Sequence, residues 1–316
     1  MSERDDLRLL VEQLLTHAAE LRDRVGRGDL RVEGGDERDA VVPLAAAATS
    51  LRQIAAALGV DLASPIDHPA TATTIPTGPI PLPPLEITVP VLGVDACKAG
   101  WVGAILEPGA PRPRIAVAET IGGLVETVRQ SLGIQVVGID IPIGLPDDST
   151  RRADALARKA LKGKASSIFT TLTRAAYAAE TRVEADAANR ARSGQGVGAQ
   201  AFALRPKILE VDAWVRSRPT VMVLEVHPEL SFATMAGAPL LDNKKTDDGR
   251  RARLAALAAV GLPSPSVLSG AGYAADDVLD ACAVAWTAAR RAAGLATPFP
   301  DPPEVFSDGI PAAIWA

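Results

Sequence analysis

Residues 91–106 read Val-Leu-Gly-Val-Asp-Ala-Cys-Lys-Ala-Gly-Trp-Val-Gly-Ala-Ile-Leu. The first apolar run, 91–94, stops on one acid, Asp95. A turn of mostly small residues follows at 96–100, and a second apolar run opens at Trp101. Short apolar runs separated in this way predict a buried strand, a tight turn and a returning strand. A carboxylate where a buried strand stops is costly unless something pairs with it. A metal ion shared with acids elsewhere in the chain is one such partner.

The pattern continues outward from this hairpin. Residues 114–119 (Arg-Ile-Ala-Val-Ala-Glu) predict a third short strand. Thr120 is a candidate N-cap for a helix over 122–132, closed by Gly133. Residues 135–139 are almost wholly apolar, as expected of a central strand covered on both faces. That run ends on Asp140, and Pro142 and Pro146 stop regular structure just beyond. Two buried strands therefore end on aspartates, and ligands gather at the carboxyl ends of strands in open sheets.

Further acids lie downstream. Residues 220–226 predict a strand ending in Glu225-Val226, followed by His227, Pro228 and Glu229. Glu225 and His227 share a face if the strand persists, because side chains alternate. His227 and Glu229 are then candidates for proton transfer or a metal edge, and the plainer reading is a packed or capping histidine. A last helix over 275–293 brings Asp276, Asp277 and Asp280 onto one face by their three- and four-residue spacing. Asp280 opens an apolar stripe (Ala281, Cys282, Val284, Ala285), and an acid embedded there suggests a cation. Carboxylates of this kind suit hard divalent ions such as Mg²⁺ or Mn²⁺.

Charge is unevenly distributed. The chain of 316 residues carries a net charge of −5, which argues against a basic nucleic-acid coat over the whole molecule. Residues 151–218 nevertheless hold 14 Lys and Arg against six acids. Such a footprint attracts phosphate backbones, with Arg151, Arg152, Lys162, Lys164 and Lys207 as candidate contacts. The alternative is a solvated helical face. Lys244 and Lys245, just before a helix over 247–260, are either an anion site at a helix N-terminus or a solvated pair. The loop 193–198 lacks the Gly-Lys-Ser/Thr ending of a phosphate-binding loop. Two cysteines, Cys97 and Cys282, make neither a disulfide framework nor a zinc cluster. No run approaches the ~18 apolar residues of a membrane span, so a cytoplasmic protein with no membrane partner is expected.

The hydrophobic content of 47% allows a sizeable core. Helical periodicity over 2–25 and 41–58 predicts an N-terminal helical hairpin within 1–60, a candidate surface for self-association or a protein partner. Residues 61–90 are rich in proline and predict an extended linker. The proline-rich tail, 297–316, predicts one short terminal strand.

The order of acids resembles the ribonuclease H-like nucleases, especially their Holliday-junction resolvase branch. There the first strand carries an Asp, the fourth an acid, and the last helix an acid followed three residues later by Asp-Ala. Asp95, Asp140 and Asp277-Val-Leu-Asp280-Ala281 match these positions. More closely, the chain resembles domain-of-unknown-function family 429, a family of predicted nucleases. The matching stretches are Gly93-Val-Asp-Ala-Cys-Lys-Ala-Gly-Trp101, Asp140-Ile-Pro-Ile-Gly-Leu-Pro146, Ser166-Ser-Ile-Phe169, Glu225-Val-His-Pro-Glu-Leu-Ser-Phe232, Lys244-Lys-Thr246 and the Asp277–Ala281 stretch. They span roughly 91–293 and leave 1–90 unaccounted for.

The resemblance implies an α/β domain over 91–316. Its ribonuclease H-like mixed sheet would combine an antiparallel three-strand meander with parallel strands, flanked by helices and carrying a basic helical insertion at about 147–218. It implies hydrolysis of phosphodiester bonds in nucleic acid, DNA or RNA, with Mg²⁺ or Mn²⁺ held by Asp95, Asp140, Glu225, Asp277 and Asp280. His227 or Glu229 would assist. The long insertion departs from simple ribonuclease H. Two other readings stay open: a nucleotide-binding phosphotransferase or phosphatase, and a non-catalytic binding or scaffold protein of the same fold.

Overall fold

The structure, a computed structural model, describes residues 82–316. The helices expected within 1–60, and the linker up to residue 81, lie outside the described residues. Strands β1 (Val91–Cys97), β2 (Gly100–Leu106) and β3 (Arg114–Ala118) form an antiparallel meander. Cys97 pairs with Gly100, so Lys98 and Ala99 make the turn. Gly100 has φ +124°, and a Cβ there would lie 2.4 Å from the Ala118 carbonyl oxygen. Only glycine meets both demands.

Strand β4 (Val136–Ile139) runs parallel to β1, and β5 (Met222–Val226) parallel to β4. β7 (Pro311–Trp315) lies parallel to β5, and β6 (Pro298–Val305) pairs antiparallel with β7. The result is a seven-stranded mixed sheet in the order β3-β2-β1-β4-β5-β7-β6. The tail thus supplies two strands where one was expected. Proline in β6 is tolerated because an edge strand leaves one side of its ladder unpaired.

Helices cover both faces. Helix α1 (Ile121–Leu132) starts at Thr120, whose side chain accepts from the Gly123 N–H, and stops at Gly133 with φ 60°. The insertion contains α2 (Arg152–Ala160), a 3₁₀ turn (Ala165–Ser167), α3 (Arg174–Ala178), α4 (Arg182–Ser193), α5 (Ala199–Ala203) and α6 (Arg205–Arg216). Then come α7 (Pro228–Ala236), α8 (Asp247–Ala259) and α9 (Ala275–Ala292). Alternation along β1 sends Leu92 and Val94 into the α1 side of the core and Val91 into the α9 side. Leu82, Leu85, Ile87 and Val89 also pack on the α9 side, and the Leu85 N–H donates to the Val260 carbonyl.

Helix α9 lies almost directly on the sheet, and two glycines permit it. Gly93 and Gly138 are register partners on β1 and β4. A Cβ on Gly93 would sit 2.0 Å from Ala285 N and 2.3 Å from the Ala281 carbonyl oxygen. One on Gly138 would meet Val284 Cγ1 at 2.8 Å. Residues from Val278 to Ala289 are buried as a consequence. Asp95 and Asp140 each follow one of these glycines by two residues. The close approach therefore carries Asp280 over the ends of both strands.

Candidate active site

Three carboxylates act on one another where β1, β4 and α9 meet. Asp95 is buried, and its Oδ1 accepts the Ala96 N–H at 2.7 Å. Asp140 directly follows β4, held by its own N–H donating to the Val94 carbonyl at 2.9 Å. Asp280 is 2% exposed. Burial, then the charges of Asp140 and Asp280, hold the Asp95 carboxyl well above the usual carboxylate range. Burial and then Asp280 push Asp140 up to about 8. Burial also raises Asp280, against the pull of Lys244. Lys244 Nζ lies 2.5 Å from Asp280 Oδ2, while Asp280 Oδ1 is buried with no partner among the described residues.

The other acids expected at the site are engaged differently. Asp277 turns one oxygen to its own helix, where Oδ2 accepts the Ala274 N–H at 2.9 Å. Glu225 lies between Leu224 and Val226, which face α9, so alternation directs it to the opposite side of the sheet. There its Oε2 accepts from Arg151 Nη2 at 2.5 Å and from the Ile143 N–H at 2.7 Å. Burial pushes Glu225 up to about 7 while Arg151 pulls it down. Glu229 Oε1 receives Arg253 Nη2 at 2.5 Å and Lys164 Nζ at 3.2 Å. Its Oε2 is buried without a partner among the described residues.

His227 does not continue β5. It caps α7, its Nδ1 accepting the Glu229 N–H at 3.3 Å, and its Nε2 faces the Ser167 carbonyl at 3.4 Å. Those partners assign the proton to Nε2. Burial pushes its pKa down to about 4, so the ring is neutral at pH 7. The capping reading describes its surroundings better than the proton-transfer one.

The basic insertion is also rearranged by folding. Arg151, expected at the surface, is 1% exposed and paired with Glu225. Its Nη1 also donates to Thr171 Oγ1 at 3.3 Å, and Asp154, which sequence reasoning did not single out, accepts the Thr171 N–H at 2.7 Å. Lys207 Nζ lies 4.4 Å above the Trp101 ring and 3.6 Å from Glu210. Arg174, Arg190 and Arg216 pair with Asp212, Asp186 and Asp212 in turn. Arg152, Lys162 and Lys245 stay exposed and form no ion pair among the described residues. Internal pairing takes up much of the insertion's basic charge, partly between helix neighbours three or four residues apart and partly over long range, as in Arg151–Glu225 and Arg174–Asp212.

Asp140 and Asp280 open into a cleft of about 210 Å³. Asp140, Glu229, Lys244 and Asp280 line it, together with Ser167, Phe169 and Gln200 of the insertion. Among the described residues, no group of three or more His, Cys, Asp or Glu side chains is arranged to hold a metal ion. Lys244 occupies Asp280, and Asp277 is turned to its own helix.

A mixed seven-stranded sheet flanked by helices, with acids at the ends of two adjacent parallel strands, defines an α/β protein with an acid-lined cleft. The chain belongs to the family described as Protein of unknown function (DUF429), which it matches over residues 93–305. No curated protein and no solved structure matches it. Among the described residues, no helix is long and apolar enough to cross a membrane.

Proposed function

We propose that the chain is a ribonuclease H-like hydrolase that cleaves phosphodiester bonds of nucleic acid with Mg²⁺ or Mn²⁺ at Asp95, Asp140 and Asp280. The observation that carries this reading is the convergence of the three carboxylates from β1, β4 and α9. The meander followed by parallel β4 and β5 supports the fold assignment. The donor set fits a divalent cation in its chemistry. All donors are hard oxygens, three carboxylates share the one amine present, and Asp280 Oδ1 is unpartnered among the described residues.

A bound divalent ion supplies a polarising charge for the phosphate and a more acidic water. The chain's own groups do the rest. Asp140, with its pKa pushed up to about 8, holds its proton at neutral pH and would release it as the cluster takes up a cation. Glu229, held by Arg253 and Lys164, lines the same cleft. Exposed Lys162, Arg152 and Lys245 remain to meet phosphate outside it.

One observation favours a second reading, a small nucleotide or other phosphoester as substrate. Much of the insertion's basic charge is paired internally, which leaves less of it to hold a phosphate backbone. A substrate panel of single- and double-stranded DNA and RNA, nucleotides and small phosphoesters, assayed with Mg²⁺ and Mn²⁺, separates the two. Cleavage of nucleic acid that disappears in a folded Asp140→Asn variant is the expected result. Turnover of nucleotides alone would replace it with the second reading, and no turnover by a folded, metal-binding protein would defeat both.

A further inference from the structure

Lys244 is the one cation seated on the carboxylate cluster among the described residues, and its backbone is held from both sides. Asn243 Oδ1 accepts the Lys245 N–H at 3.0 Å, and the Asn243 carbonyl accepts from both the Thr246 N–H and Oγ1. Thr246 in turn caps α8. A Cβ on Gly249 would lie 1.9 Å from the Asn243 carbonyl oxygen, so the loop rests against the first turn of α8. The side chain has more freedom: it is 36% exposed and reaches in from the rim.

Its amine contacts only one oxygen of Asp280. Asp280 Oδ1 stays buried and unpartnered, as does Glu229 Oε2 in the same cleft. An ammonium is a single charge with fixed donor directions. It therefore leaves this acid set under-neutralised and under-coordinated. Lys244 also forms the wall of a neighbouring groove lined by Lys245, Arg250, Asp276 and Asp277. An amine leaving Asp280 would meet two further carboxylates there.

Building on the divalent-metal reading above, we propose that Lys244 is a displaceable stand-in for the metal. In the metal-free protein its amine neutralises Asp280. A divalent cation entering among Asp95, Asp140 and Asp280 takes that place and sends the amine toward the groove beside Asp276 and Asp277. The residue thereby sets the threshold for metal loading and guards the buried acids when no metal is bound.

The test is Mn²⁺ binding to the full chain, by calorimetry and by electron paramagnetic resonance, without any substrate. Lys244→Met should bind Mn²⁺ more tightly than wild type by about tenfold or more, because no internal ion pair competes. Lys244→Arg, which keeps the charge, should not. In wild type, Mn²⁺ should increase the rate at which Lys244 is acetylated, read by peptide mass spectrometry, and this needs no variant to fold. Equal Mn²⁺ affinity of wild type and a folded Lys244→Met, with unchanged Lys244 reactivity, would overturn the displacement while leaving the metal site standing. Absence of Mn²⁺ binding in both proteins would overturn the metal reading itself and this inference with it.

Discussion

Arg151 Nη2 lies 2.5 Å from Glu225 Oε2, with both side chains buried and 74 positions apart in sequence. The pair joins the start of the insertion to the end of β5. It also pairs with each other two residues whose positions suggest a phosphate contact and a metal ligand. Glu225 still lines the cleft.

Removing one partner of this pair should be costly. Arg151→Met leaves the Glu225 charge buried, and breaking such a pair costs about 3–5 kcal/mol. The double variant Arg151→Met/Glu225→Gln keeps an acceptor for the Ile143 N–H and should recover most of that loss. Urea unfolding of the four proteins in the cycle measures the coupling. Strictly additive effects would mean that the pair contributes nothing as a pair.

Asp140 should make the metal-free protein less stable as pH rises. Its folded pKa, about 8, is above the unfolded value near 3.9. Between those values the folded state holds a proton that the unfolded state has lost. The associated stability is full below about pH 4 and is lost as pH rises through 8. Asp140→Asn abolishes the titration, so its stability relative to wild type should climb from pH 5 to pH 9, by about 1.4 kcal/mol per pH unit at most and levelling off above pH 8. Thermal unfolding in chelator across that range reads it. A difference that does not change with pH would rule out the raised pKa.

The two glycines under α9 should differ in tolerance. Gly93→Ala drives a methyl into the Ala281 and Ala285 backbone, which cannot move without lifting the helix. We expect a loss at or above the roughly 1–3 kcal/mol typical of overpacking. Gly138→Ala first meets the Val284 side chain, which has more room to give, so its loss should be smaller. Denaturant midpoints of the two variants check the order, and a reversed order would show that α9 does not lie on the sheet as described.

Much of the α/β framework was legible in local pattern. The 91–106 hairpin, the Thr120 and Gly133 limits of α1 and the acids closing β1 and β4 follow from apolar runs, caps and glycine positions. β6 was not legible, because proline argues against a strand until the segment is known to lie on an edge. The side of the sheet that Glu225 faces was encoded by alternation in β5, but it carries meaning only once α9 is known to cover the opposite face.

The sequence by itself determined which residues carry charge and where strands stop, since both depend on neighbours a few positions away. Asp95, Asp140 and Asp280 were identifiable on that basis. Only the tertiary structure decided which charges neutralise which. Lys244 reaches Asp280 across 36 residues and Arg151 reaches Glu225 across 74. Buried carboxylates take whichever cation the chain's packing brings within hydrogen-bonding distance, and residue spacing does not specify that distance.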